Sequence, residues 1–191
     1  MDTDPKRIYP EISEQWSNIR NEVKGIFDTY VSRTPLVPAA ATSVVSVGCG
    51  DFVEAQVLSD FFPNAEIVGY DADPVRIKLA KRVNTFPMER VSVEQGIVGR
   101  GVLKPSSADV VVVRNPDVHK EYTWEKAFQE SIAALKPDGE LIVTTLSEME
   151  MERVRRSISG TEILVDEVHK KAGQISPAGL GDACVLIARK K

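Results

Sequence analysis

VVSVGCGDFVEA, Val44 to Ala55, carries a β-branched run into two glycines one residue apart and then into an acid. Val44 to Val47 has the apolar character of a strand buried on both faces of a sheet. Gly48 and Gly50 permit a tight turn and a close approach of backbone to ligand. Asp51 and Glu54 follow with the spacing of a capping box, so a helix is expected to open there. Its apolar face is Phe52, Ala55, Leu58 and Phe62, and Pro63 stops it. A strand that ends in glycines and opens a helix usually holds a nucleotide.

Outward from this unit, strand and helix signals alternate. EIVGY is a second strand, ending at Asp71. Asp73 then caps a helix with Pro74 at its first position, and Ile77, Leu79 and Ala80 line its buried side. RVSVEQ is a third, shorter strand, followed by a permissive loop with Gly96, Gly99 and Gly101. DVVVV is the fourth and most apolar strand. Thr123 opens a helix carrying Trp124, Ala127, Phe128, Ile132 and Leu135, which KPDG ends. ELIVTT is a fifth strand. Ser147 and Glu150 form a capping box for the helix SEMEMERVRRSIS. TEILVDEV and ACVLIARK, separated by a Gly/Pro-containing loop, are the last two strands and have no helix between them. Upstream, Ile12, Trp16, Ile19, Val23, Ile26, Phe27 and Tyr30 recur at helical spacing.

The alternation implies an α/β fold: a doubly wound, mostly parallel seven-stranded sheet with helices on both faces. Two final strands without a crossover helix imply one antiparallel strand near the edge. Residues 1–40 form an N-terminal helix and connector, and 41–191 the ligand-binding domain. At 191 residues and a formal net charge of −4, the chain has no dominant basic surface, which disfavours nucleic acid as a partner. Cys49 and Cys184 lie far apart and form no metal-ligand spacing, so no metal is expected and a reducing cytoplasm is the expected setting. The N-terminus has no apolar h-region, and no apolar run reaches membrane-spanning length.

In a doubly wound sheet the ligand lies at the carboxyl ends of the strands, so GCGD faces it. Asp71, about twenty residues on, has the spacing of an acid that accepts both ribose hydroxyls. Dinucleotides share that geometry, but a pyrophosphate needs the free N–H groups of the helix start. Two carboxylates within about 6 Å of a phosphate would cost on the order of several kcal/mol. S-adenosylmethionine escapes this cost, since it has an adenosine, a sulfonium and an ammonium but no phosphate. Phe52 also stands where a dinucleotide fingerprint has its third glycine.

The chain resembles the class I, Rossmann-like SAM-dependent methyltransferases. SVGCGDFVEA is similar to their first motif, VGYDADPVRIKLAKR to the second, SSADVVVVRNPD to the fourth, and LKPDGELIVTT to the strand after it. The resemblance spans Val44 to Lys190. It implies SAM at Gly48, Cys49, Gly50, Asp71 and Ala72, with Ile97 against the adenine. It departs at Ser46, where the family often has an acid, and at Ile97, where an acid often accepts the adenine amino group.

RNPDVHK, Arg114 to Lys120, should face the methyl group. In amino-directed members an Asn or Asp followed by prolines and an aromatic holds the target nitrogen. Asn115 and Pro116 match that start; Asp117 and Val118 do not match its continuation. Asn115 would orient the acceptor, and Arg114 would steer an acidic group. Against these stand plainer roles. Asn115–Pro116 also suits a turn at a strand end. His119 suits a solvated loop, Cys49 a tight turn, Trp16 and Trp124 the core, and the RVRR run a solvated helix face. The leading expectation is a SAM-dependent methyltransferase acting on a small molecule or an exposed nitrogen. A methyltransferase-like scaffold without activity is the alternative, and an NAD-dependent oxidoreductase the third.

Overall fold

The computed structural model describes residues 10–29, 31, 34–83, 89–118, 121–170 and 184–191. Tyr30, His119 and the Gly/Pro-containing loop before the last strand lie outside them, as do the side chains of Ile12 and Trp16. The chain runs α1 (Pro10–Thr29), β1 (Ser43–Val47), α2 (Ala55–Phe61), β2 (Glu66–Asp71), α3 (Pro74–Val83), β3 (Val91–Gln95), β4 (Ala108–Arg114), α4 (Glu121–Ala134), β5 (Leu135–Thr145), α5 (Glu148–Ile158), β6 (Ile163–Lys170) and β7 (Cys184–Lys190).

The seven strands form one sheet in the order β3-β2-β1-β4-β5-β7-β6. β1 lies between β2 and β4, both parallel to it, so the strand order reverses beside it. β7 is antiparallel to β5 and β6, the single reversed strand expected from two strands without a crossover helix. β4 and β1 are covered on both faces because alternate valines enter different cores. Val44, Val110 and Val112 pack with Val23, Ile26 and Phe27 of α1 and with α2 and α3. Val45, Val47, Val111 and Val113 pack with Phe128 and Ile132 of α4 and with Val154 of α5. Both apolar faces are thereby removed from water, at about 25 cal/mol per Å².

Local signals hold at α3 and α5. Asp73 Oδ1 accepts from Val75 N at 2.8 Å. Ser147 Oγ accepts from Glu150 N at 3.2 Å, and Glu150 returns a carboxylate to Leu146 N at 2.9 Å. The capping box expected at Asp51 and Glu54 does not form. α2 begins at Ala55, and Glu54 makes no side-chain cap. The cause is Phe52, which sits in the left-handed region at φ 52 with its ring only 1 % exposed. Turning that ring into the core forces successive turns, Phe52 N to Cys49 O and Ala55 N to Phe52 O, before the helix can start.

No helix occupies residues 96–107 between β3 and β4. Glu130 of α4 organises part of that segment instead. Its carboxylate accepts from Gly99 N at 2.6 Å, Gly101 N at 2.8 Å and Leu103 N at 2.6 Å. Asp109 does similar work at the other end of the sheet, accepting from Thr42 N, Ser43 N and Lys136 Nζ at 2.8–2.9 Å. Burial works to raise both acidities' pKa values. The N–H donors at Glu130, and Lys136 with the N–H donors at Asp109, outweigh it and hold both below their ordinary values of 4.5 and 3.8. A carboxylate depressed in the fold adds stability that is present above its unfolded pKa and lost as pH falls through its folded one. Urea unfolding followed against pH should therefore be flat above about pH 5 and decline below about pH 4.5. Combining Asp109→Asn with Glu130→Gln should lower the plateau and shrink that decline. An unchanged acid limb in the double variant would remove both carboxylates from the account.

Candidate functional site

The loop after β1 answers the question its sequence raises. Gly48 N and Cys49 N both donate to Tyr70 O, at 2.8 and 3.0 Å, and Gly50 N donates to Asp71 Oδ2 at 2.8 Å. These three N–H groups of the loop are already paired within the fold and are not offered to a phosphate. Asp71 Oδ1 also accepts from Asp73 N at 2.8 Å. Its carboxylate thus ties the glycine loop to the turn that opens α3, and each oxygen retains a lone pair for a hydroxyl.

The surroundings of the loop are acidic. Cys49 is buried, and its thiol pKa is pushed far up, first by burial and then by the charges of Glu54, Asp71 and Asp51. A thiol so protonated is no nucleophile, which leaves Cys49 as a small residue in a tight turn. Asp51 pairs with Arg76 at 2.9 and 3.0 Å. Glu54, 2 % exposed, accepts from Ser46 Oγ at 3.0 Å. A buried carboxylate thus lies against Ser46, contributed by the residue before α2, and neither residue lines the cavity described next.

Phe52 has its counterpart in Gly69 of β2. A Cβ on Gly69 would lie 2.9 Å from Cys49 Sγ and 2.9 Å from the Phe52 ring. The glycine that the loop lacks has moved to the neighbouring strand, where its absent side chain makes room for an aromatic one.

A cavity of about 270 Å³ opens at the carboxyl ends of β1 and β2. It is lined from the ends of β1 and β2 by Val47, Gly48, Tyr70, Asp71 and Ala72, from the loop after β3 by Gly96, Ile97 and Val98, and from the segment after β4 and from α4 by Asp117, Thr123, Trp124 and Ala127. Gly48, Asp71, Ala72 and Ile97, picked from the sequence, thus share one wall system. Cys49 and Gly50, in the same loop, are not among the residues that line the cavity. Arg114 does not line the cavity; its alternation with Val110 and Val112 puts it on the α1–α2 face of the sheet. Tyr70, Asp117 and Trp124 went unnoticed as site residues. Trp124 lies on an apolar helical stripe, and the stripe spacing alone marks it as core; its nearness to the carboxyl edge of the sheet is the signal that separates it.

Gly48 has φ +67, and a Cβ there would meet Trp124 Cη2 at 3.0 Å. Gly48→Ala should lose about 1–2 kcal/mol from the left-handed backbone alone. It should also shift the indole and weaken ligand binding. Thermal unfolding and calorimetric titration check both effects; an alanine variant equal to wild type in both would contradict the geometry.

Beside the cavity, at the end of β4, Asn115 N donates to Thr144 O at 2.9 Å. Asn115 has φ 47, a conformation asparagine tolerates better than most residues. Its side-chain Oδ1 is buried and has no hydrogen-bond partner. Pro116 is buried and accepts from Val118 N at 2.8 Å, a turn that brings Asp117 to the cavity. Among the described residues no group of three or more His, Cys, Asp or Glu is placed to hold a metal, and no helix is long and apolar enough to cross a membrane.

Residues 38–177 match the model of a methyltransferase domain family. No curated protein matches the sequence. Among solved structures, the PH0226 protein from Pyrococcus horikoshii OT3 is similar with a TM-score of 0.73 at 15 % identity, covering 97 % of this chain and 98 % of that one. A SAM-dependent methyltransferase from Aquifex aeolicus gives a TM-score of 0.62 at 18 % identity, covering 78 % and 82 %. A protein from Galdieria sulphuraria named as a sarcosine dimethylglycine methyltransferase gives 0.63 at 15 % identity, covering 88 % and 85 %. At such identities the likeness to solved structures carries the fold.

Proposed function

The chain belongs to the methyltransferase domain family, with S-adenosylmethionine as its cofactor, and from that premise we propose that it methylates a nitrogen of a small molecule. The cofactor fits the residues present. Asp71 has lone pairs for ribose hydroxyls, Ile97 offers an apolar surface for adenine, and the loop's acids favour a cationic ligand over an anionic one. When bound, S-adenosylmethionine supplies a methyl group already made electrophilic by its sulfonium.

The observation that carries the acceptor is the Asn115 amide. A buried carbonyl oxygen without a partner costs about 1–3 kcal/mol, and a ligand that pairs with it offsets that cost. Once uncovered by the incoming amine, Asn115 Oδ1 accepts one of its N–H groups and so aims the nitrogen lone pair toward the cofactor cavity. In-line transfer then depends mostly on position, which Asn115 and the turn at Pro116 supply. A nitrogen acceptor is in keeping with the Galdieria sulphuraria relative, whose name specifies amine substrates. Screening amine-bearing metabolites and small RNAs for release of S-adenosylhomocysteine tests the reading. Turnover of hydroxyl acceptors alone, or of RNA alone, would replace it. Titration with SAM and NAD tests the cofactor separately, and a preference for NAD would overturn its placement.

A further inference from the structure

We propose that Trp124 forms the wall against which the sulfonium of S-adenosylmethionine rests, and so sets the preference of the site for the charged cofactor over the neutral product. The inference rests on the cofactor placement given above. With ribose hydroxyls at Asp71 and adenine at Ile97, the rest of the cofactor is assigned to the end where Gly48, Thr123 and Trp124 line the cavity. The cofactor sulfur is joined to the 5′ carbon of the ribose, so it falls at that end.

The chemistry of that end suits a positive charge. Among the described residues lining the cavity none is basic, and Asp117 brings a second carboxylate to the lining beside that of Asp71. The indole reaches Gly48 so closely that a Cβ there would be 3.0 Å from Cη2. The ring therefore packs on the core and also reaches the loop with its Cη2 edge. Phe128, fully buried, holds it from behind, with ring centroids 5.9 Å apart and planes inclined at 44°. An indole fixed beside a cation attracts it through the ring quadrupole. Trp124 gains from the charged sulfur and gains nothing comparable from the neutral thioether left once the methyl has departed. The same residue that helps hold the reactant thus releases its grip on the product.

Calorimetric affinities for S-adenosylmethionine and S-adenosylhomocysteine in wild type, Trp124→Phe and Trp124→Leu test this. In Trp124→Leu the SAM affinity should fall about fivefold while that for the homocysteine product stays within about twofold, and Trp124→Phe should lie between. An equal loss for both ligands in Trp124→Leu would show a packing role and overturn the inference. A second measurement is independent of any folding defect. The protein has two tryptophans, so in Trp16→Phe all indole emission comes from Trp124. Its spectrum should change on adding SAM, and an unchanged spectrum at saturation overturns the inference while leaving the cofactor assignment intact. Binding of neither ligand by wild type overturns the cofactor placement itself, a result distinct from either.

Discussion

Asn115→Ala is expected to cut methyl transfer by about a hundredfold or more while leaving SAM affinity within a factor of a few. The asymmetry follows from where the residue stands. Asn115 lies beside the cavity and not among its lining, so the cofactor loses no contact when the amide is removed. The acceptor loses the oxygen that orients it, and a misaligned nucleophile forfeits the entropic advantage of a held geometry. Deletion also removes an orphaned buried oxygen, so the variant should be no less stable on that account. Single-turnover assays with a substrate from the amine screen, paired with calorimetry, separate the effects. Wild-type turnover by Asn115→Ala would reduce the residue to a strand-end turn.

Asp71→Ala should have the second largest effect, and on two observables together. Loss of the hydrogen bonds from the ribose hydroxyls to a charged acceptor weakens SAM binding by about 1.5–3 kcal/mol in all. The same carboxylate holds Gly50 N and Asp73 N, so both N–H groups are left without their acceptor and the melting temperature should fall as well. Asp71→Asn keeps one acceptor oxygen and should recover part of each loss. Undiminished SAM affinity in Asp71→Ala would remove it from the ribose.

The order of elements and the position of the loop were legible in the sequence because each rests on local patterning. β-branched runs, glycines and the Pro74 and Ser147 helix starts each name their own structure within a few residues. The lone antiparallel strand was legible by exclusion, since no crossover helix separates β6 from β7. Asp51 and Glu54 were misread for a related reason. Their spacing satisfies a local rule, but Phe52 between them answers to a distant one, the gap left by Gly69. Ser46 was likewise read as a missing charge, because nothing in the spacing of eight residues reveals that Glu54 turns back onto it. Arg114 was placed by its neighbours in sequence, whereas strand alternation sends it to the other face. Trp124 shows the limit most clearly. One helical stripe serves a core and a cavity at once where it passes the rim of the sheet. Asp51 and Glu54 tell against a phosphate from the sequence alone. The paired N–H groups of residues 48 to 50 give the stronger reason, and backbone pairing cannot be read from side-chain identity.

The reversed strand β7 has a consequence in time. β6 precedes it in the chain, yet β6 joins the sheet only through β7, which slots between it and β5. During synthesis the ribosome releases β6 before its docking site exists. Until β7 arrives, β5 is an unpaired edge bearing Leu141, Ile142 and Val143, a ready template for another nascent chain. Entry of β7 into the sheet is therefore an insertion rather than an addition, because it pairs on two sides at once. A chain stalled before residue 184 would be expected to need a chaperone, whatever the stability of the finished enzyme.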